Sequence, residues 1–153
     1  MWFLTQEGVD RYDGKYIKHY NFSDDSIKLD SRIALNWLYM DSGNILWVIG
    51  QKGRIFRYDS QHDKFELAYV HPELIRNKPQ AFLNYGYLDK SDRIWLCYKD
   101  SITWYDIRTG TTLHMPTPVN GEITAIEQTD DNHFSGSNAA AIRSTASAPT
   151  ILA

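Results

Sequence analysis

The chain has 153 residues, of which 42% are hydrophobic and 14% aromatic, with a net charge of -3 and one cysteine. This length is normal for one domain. The small charge argues against binding to nucleic acid or to an anionic membrane surface, and one cysteine excludes an intrachain disulfide. The apolar runs are too short to span a bilayer, so direct membrane insertion by this chain is not expected. The first residues also lack the pattern of a signal peptide.

One motif occurs three times, with Trp2, Trp47 and Trp95 in equivalent places 45 and 48 residues apart. After each tryptophan come a short apolar segment, a polar turn and a second apolar segment. That second segment ends in Tyr-Asp each time, at Tyr12-Asp13, Tyr58-Asp59 and Tyr105-Asp106. A fourth, weaker copy places Phe134 at the tryptophan position. Because Asp bonds to backbone two residues on, we expect the aspartates after Tyr and before the tryptophan strands to form turns.

The repeats predict short strands in chain order. The first repeat, residues 1–22, has strands at 2–5, 9–12 and 15–20, and Asp13-Gly14 indicates a type I′ hairpin turn. The second, 33–70, has strands at 33–40, 45–50, 54–59 and 64–70. The third, 81–115, has strands at 81–88, 93–98, 101–106 and 111–115. The fourth covers 122–134 and opens with a strand at 122–128.

A repeat of this length, with short strands and aromatic punctuation, is typical of the four-stranded blades of a β-propeller. The predicted fold class is therefore all-β, with a propeller region at residues 1–134. At about 45 residues per blade the chain supplies roughly three to three and a half blades. Closed propellers need at least about four. We therefore expect a fragment that pairs with the remaining blades of the same protein, or a chain that self-associates.

The pattern stops after Phe134. Residues 135–153 are rich in Ala, Ser and Thr and contain no aromatic or acidic residue. This composition predicts a flexible tail, or a segment foreign to the domain.

The segments DSGNILWVIGQKGRIFRYD, DKSDRIWLCYKDSITWYD and WFLTQEGVDRYD resemble the two-component regulator propeller repeat. The resemblance covers residue 1 to about Phe134. It departs from the usual Ile-Gly-Thr after the tryptophan at Val48–Gln51 and Leu96–Lys99, and Asp100-Ser101 stands where glycine is common. The resemblance implies part of the periplasmic sensor region of a Bacteroides-type hybrid histidine kinase. It further implies a non-catalytic, carbohydrate-responsive sensor, with kinase activity outside this chain and no cofactor.

The candidate ligand-binding residues lie in the first strand of two repeats. Asn36-Trp37 and Asn84-Tyr85 occupy equivalent places there. An aromatic ring packs on the apolar face of a sugar while the neighbouring amide bonds its hydroxyl groups, so the expected ligand is an oligosaccharide. The alternative is that Trp37 and Tyr85 only pack between blades.

Metal binding, enzymatic activity and membership of other repeat families have weaker support. The five histidines lack the spacing of a zinc site, and the acidic segment at 24–30 lacks the spacing of a calcium loop, so no metal site is predicted. Cys97 lies in an apolar segment and is expected to be buried. A fragment of a propeller polysaccharide lyase or glycoside hydrolase is an alternative, although no particular pair of carboxylates stands out. A WD-repeat or kelch scaffold ranks last, since the repeats lack the Trp-Asp ending and Gly-Gly pairs of those families.

Overall fold

A computed structural model describes residues 1–22, 35–72, 83–117, 123, 126–128, 133–136, 141–145 and 148–152. In these ranges the regular structure includes β-strands in four antiparallel sheets and a short 3-10 turn at Gln51–Gly53. The chain divides into two compact units, Met1–Gln80 and Ala81–Ala153. The predicted all-β class is confirmed.

Each sheet is a simple meander in which strands adjacent in sequence are hydrogen-bonded neighbours. Sheet 1 contains β1 (Trp2–Leu4), β2 (Val9–Tyr12) and β3 (Ile17–Tyr20). Sheet 2 contains β4 (Leu35–Met40), β5 (Leu46–Gly50), β6 (Ile55–Asp59) and β7 (Lys64–Tyr69). Sheet 3 contains β8 (Leu83–Leu88), β9 (Arg93–Tyr98), β10 (Ser101–Asp106) and β11 (Thr112–Pro116). Sheet 4 contains β12 (Ile126–Gln128), β13 (His133–Gly136), β14 (Ala141–Thr145) and β15 (Ala148–Leu152).

The segment at 135–153 departs from the sequence-based expectation of a flexible tail. Strands β14 and β15 pair with each other, and β14 also pairs with β13, so this segment completes a four-stranded sheet. Strand pairing uses backbone groups and does not require the aromatic residues that mark the earlier repeats. Both strands also contain β-branched residues, which favour extended backbone. Against the expected three to three and a half four-stranded units, the described strands form one three-stranded and three four-stranded sheets.

The first hairpin also differs in detail from its prediction. The turn between β2 and β3 is present, but of its two central candidates only Gly14 has a positive φ, of 103°. Asp13 instead accepts hydrogen bonds through Oδ1 from the backbone N–H groups of Lys15 and Tyr16, both at 2.8 Å. The turn is closed by the aspartate side chain, so the predicted type I′ geometry is wrong.

The turn before the tryptophan strand of sheet 2 is organised by one carboxylate. Asp41 Oδ1 accepts from the backbone N–H of Gly43 at 2.9 Å and of Ile45 at 2.8 Å. Asp41 Oδ2 accepts from the indole Nε1 of Trp47 at 2.8 Å. The same side chain therefore shapes the turn and satisfies the polar atom of a buried ring.

Sheet 3 repeats this arrangement. Asp89 Oδ1 accepts from the backbone N–H of Ser91 at 2.8 Å and of Arg93 at 3.0 Å, and Oδ2 accepts from Trp95 Nε1 at 2.8 Å. Arg93 Nε adds a further bond to Asp89 Oδ2 at 2.7 Å. The predicted turn-forming role of the aspartates before the tryptophan strands is confirmed.

The tryptophan strands of sheets 2 and 3 are buried on both faces. Every residue of β5 is buried, as is every residue of β9 except Arg93. Cys97 belongs to β9, is fully buried as predicted, and packs with Trp95 and Ile102. Burial raises the pKa of the Cys97 thiol to about 12. The thiol therefore remains protonated and acts as a small packing group.

Replacing Trp47 by Ala is expected to lower the free energy of unfolding by about 3–5 kcal/mol, as other large aromatic truncations do. The ring is only 2% exposed, and its removal would leave a cavity and take away the indole donor bonded to Asp41 Oδ2. Denaturant unfolding measures the loss. Trp47→Phe is the comparison variant, because it retains one aromatic ring while losing the indole bond and part of the ring volume, so its loss should be smaller than that of the alanine variant. A loss well under 1 kcal/mol for the alanine variant would contradict the packing of this ring in the core.

Candidate functional site

The sequence-predicted binding residues lie at matching irregularities in two sheets. In sheet 2, Leu35 pairs with Gly50 and Trp37 with Ile49, so Asn36 is an extra residue between them. This is a β-bulge. Sheet 3 has the same bulge at Asn84, between the pairs Leu83 with Tyr98 and Tyr85 with Cys97. Bulges redirect side chains and are enriched near functional sites.

The four residues differ in their surroundings. Asn36 is exposed, whereas Trp37, Asn84 and Tyr85 are half-buried. Tyr85 packs against the core of the second compact unit, so its ring has a packing role. The Nδ2 atom of Asn84 is buried and has no hydrogen-bond partner among the residues that the structure describes. Asn84 thus holds a buried amide donor without a partner in the described part of the chain, and a binding role for all four residues stays a prediction.

A second polar constellation, which the sequence analysis missed, lies in the first compact unit. It consists of Arg11, Lys18 and Tyr20 from sheet 1 and Tyr58 and Asp63 from sheet 2, and is called the Asp63 cluster below. Asp63 Oδ1 accepts from Tyr58 Oη at 2.5 Å, from Tyr20 Oη at 2.6 Å and from Arg11 Nη1 at 3.0 Å. Asp63 Oδ2 accepts from Lys18 Nζ at 2.5 Å. One carboxylate therefore links sheets 1 and 2 through hydrogen bonds and ion pairs.

Aromatic rings surround this carboxylate. The Arg11 guanidinium lies 5.5 Å from the Trp2 ring centre and 5.8 Å from that of Tyr20. The Trp2 ring is also packed edge-on against Tyr58, with ring centres 4.8 Å apart. Guanidinium groups are attracted to aromatic faces. The cluster therefore combines ion pairing, phenol donors and ring packing at a single contact between sheets.

The protonation states in the cluster are fixed by its geometry. Hydrogen bonding from Lys18, and then from the phenols of Tyr20 and Tyr58, lowers the pKa of Asp63 from its usual value. Burial, followed by the bond to Asp63, raises the pKa of both Tyr20 and Tyr58. The carboxylate thus stays ionised and the phenols stay protonated near neutral pH. This arrangement binds the two sheets and is poorly suited to proton transfer.

Asp63 occupies a backbone position where an ordinary side chain is disfavoured. Its φ is 50°, in the left-handed region. In sheet 3 the equivalent place, four residues after the aspartate of the Tyr-Asp pair, is occupied by Gly110 with φ of 71°. Asp tolerates this region better than most residues, at some cost relative to glycine. Comparing the two hairpins in sequence is the signal that would have identified Asp63.

Among the residues described, no group of three or more His, Cys, Asp or Glu side chains is placed to hold a metal ion. The acidic segment at 24–30 lies outside the described residues. No helix in the described part of the chain is long and apolar enough to cross a membrane.

Neither the protein-family models nor the curated proteins gave a match to this chain. Solved structures did. The extracellular domain of BT3049 from B. thetaiotaomicron, described as a hybrid two component system, matches 99% of this chain with TM-score 0.68 and 19% identity. Two structures of the extracellular domain of BT4673 from the same organism, described as a one component and as a hybrid two component system, match 99% and 97% with TM-scores of 0.67 and 0.66 and 15% identity.

The fold is shared with extracellular domains of bacterial signalling systems. This agrees with the resemblance seen in the repeats. The chain spans only 23%, 20% and 20% of the lengths of the three solved chains. At these identities the likeness shows the fold alone.

Substituting Asp63 tests whether the cluster stabilises the first compact unit. Asp63→Asn keeps the shape but loses the charge, and is expected to lower the unfolding midpoint. Asp63→Gly relieves the backbone strain, so any destabilisation in this variant comes from the lost cluster. Thermal unfolding measures both, with the exposed Asp100→Asn as the control. Unchanged midpoints in both Asp63 variants would show that the cluster contributes nothing.

The folding stability of the wild type and of Asp63→Asn is expected to depend differently on pH. Because the folded-state pKa of Asp63 is lowered, its stabilising contribution is present above the unfolded-state pKa of about 4. It is then lost as the pH falls through the lowered folded-state value. The wild type should therefore lose more stability than Asp63→Asn on acidification below about pH 4. Parallel curves for the two proteins would contradict the shift.

Proposed function

We propose that this chain is part of a β-propeller in the periplasmic sensor region of a hybrid two-component system, and that it has a non-catalytic role in ligand sensing. The single observation that carries the proposal is the fold match over 97–99% of the chain to extracellular domains described as signalling systems. In this proposal the four sheets are blades, and signalling output lies in another part of the protein.

The meander sheets support the propeller proposal. Each is antiparallel and ordered as in the sequence, and β5 and β9 are buried on both faces, as expected when blades stack. In the first compact unit, sheets 1 and 2 pack face to face through Val9, Tyr20, Phe22, Val48 and Phe56. These features fit repeats that cannot bury both faces alone.

We further propose that the ligand is an oligosaccharide, held in part by the bulged first strands. Asn84 contributes a buried amide donor without a partner in the described structure, and Asn36 an exposed amide beside the half-buried ring of Trp37. Amides bond sugar hydroxyl groups, and the face of an aromatic ring suits the apolar face of a pyranose. The remaining blades of the same protein, and self-association of the sensor, are the proposed macromolecular partners.

The test is calorimetric titration of the complete gene product with a panel of plant and host oligosaccharides. Asn84→Ala and Asn36→Ala are each expected to weaken binding by up to roughly tenfold, which corresponds to one hydrogen bond. Gln61→Ala removes an exposed amide outside the first strands and serves as the control. Equal affinity in all variants would remove these asparagines from the site.

The enzyme alternative is tested in the same samples. Mass spectrometry of each oligosaccharide after prolonged incubation is expected to find it intact. Shortened products, or unsaturated ones, would instead indicate a hydrolase or lyase and would overturn the non-catalytic proposal.

A further inference from the structure

Sheet 1 has an apolar outer face that the first compact unit leaves open. It is formed by Phe3, Tyr12 and Ile17, which are 44%, 38% and 70% exposed. Tyr12 and Ile17 are direct cross-strand partners. Trp2 and Tyr20 are turned the other way, into the contact with sheet 2. Exposed apolar clusters of this kind on a regular sheet indicate contact surfaces.

The strand registers of sheets 1 and 2 identify the counterparts of these residues. Trp2 pairs with Arg11 in sheet 1 as Trp47 pairs with Arg57 in sheet 2. Tyr12 pairs with Ile17 as Tyr58 pairs with Phe65. With the two sheets aligned in this way, Phe3, Tyr12 and Ile17 correspond to Val48, Tyr58 and Phe65.

In sheet 2 these counterparts are the residues that receive sheet 1. Val48 is fully buried in the core shared by the two sheets. The Trp2 ring centre lies 4.8 Å from that of Tyr58 and 6.0 Å from that of Phe65, and Tyr20 lies 5.5 Å from Phe65. The face that is open in sheet 1 is thus the face that a neighbouring repeat covers in sheet 2.

We propose that the outer face of sheet 1 is the docking surface for another repeat of the same protein. This rests on the proposed function, and it specifies the partner. The occupant is a β-sheet that presents a tryptophan and a tyrosine to Tyr12 and Ile17, as Trp2 and Tyr20 are presented to Tyr58 and Phe65. Solved chains about four to five times as long as this one, judged by the 20–23% of their lengths that it covers, have room for such repeats.

One difference between the two faces constrains the partner further. Asp10 and His19 stand where sheet 2 has Phe56 and Leu67, and they are joined by a hydrogen bond of 2.5 Å between Asp10 Oδ1 and His19 Nδ1. In sheet 2, Phe56 packs against the ring of Phe22, with centres 4.9 Å apart. Covering Asp10 with such a ring would bury polar atoms without a new bond, which is unfavourable. The docking repeat therefore has a hydrogen-bonding side chain at the place equivalent to Phe22.

Ile17→Lys in the complete gene product is the first test. If the face is covered, a lysine there lowers the unfolding midpoint by several degrees, whereas at an uncovered position it is nearly neutral. Met40→Lys, at a residue that is 53% exposed, is the matched control and is expected to be neutral. Equal midpoints for the two variants would overturn the proposal.

Hydroxyl-radical labelling of the complete product gives the second readout. Phe3 and Tyr12 are expected to be labelled several-fold more slowly than the exposed Tyr16, independently of protein concentration. Protection that appears only at high concentration would identify a second copy as the occupant and overturn the proposal, as would a gene product without further repeats. None of these results depends on ligand binding or catalysis, so they are separable from failure of the sensor proposal.

Discussion

A buried indole bonded to a turn carboxylate is the interaction on which sheets 2 and 3 depend. The tryptophan side chain is large enough to fill the space beside its sheet, but its N–H group needs a partner when it is buried. Asp41 and Asp89 provide that partner, and with their other oxygen they hold the backbone of the turn that leads into the tryptophan strand. Turn geometry, strand register and core packing are thereby linked through one side chain per sheet.

The two compact units fill their interiors in different ways. The second is packed around Trp95, Cys97, Ile102, Ile123 and Ile126, all buried and apolar. The first combines an apolar centre with the Asp63 cluster at its side. Sheet 1 has three short strands and therefore little apolar area to bury, so charged and phenolic groups add to the contact with sheet 2. Multiple bonds to one carboxylate also define how the sheets are aligned, since hydrogen bonds are directional.

The sequence predicted the strands and turns, which depend on the repeat period and on amino-acid composition. The places of Trp2, Trp47 and Trp95, and the Tyr-Asp ends, predicted the strands of the first three repeats to within about two residues, because hydrophobic alternation and turn chemistry are local properties. In the fourth repeat the strand predicted at 122–128 is found only at Ile126–Gln128. The strands at Ala141–Thr145 and Ala148–Leu152 were missed because pairing in a meander requires only compatible backbone, and those residues carry no aromatic marker. Asp63 was missed because its partners Arg11 and Tyr20 are more than 40 residues away, and contacts at such distances leave no local pattern. The sequence showed that Asn36 and Asn84 occupy equivalent places in two repeats, but it did not show that each forms a bulge.

Equivalent hairpins carry Asp63 in sheet 2 and Gly110 in sheet 3. This difference shows how a protein built from repeats can set the strength of each contact between sheets separately. Both residues satisfy the same backbone requirement, so the hairpin closes in either case. Only the aspartate adds a side chain that reaches across to a neighbouring sheet. A change of one residue at this position can thus add or remove a contact between sheets, while the strands on either side keep their pairing. Mechanical stiffness can then evolve at one junction of a modular protein independently of the others.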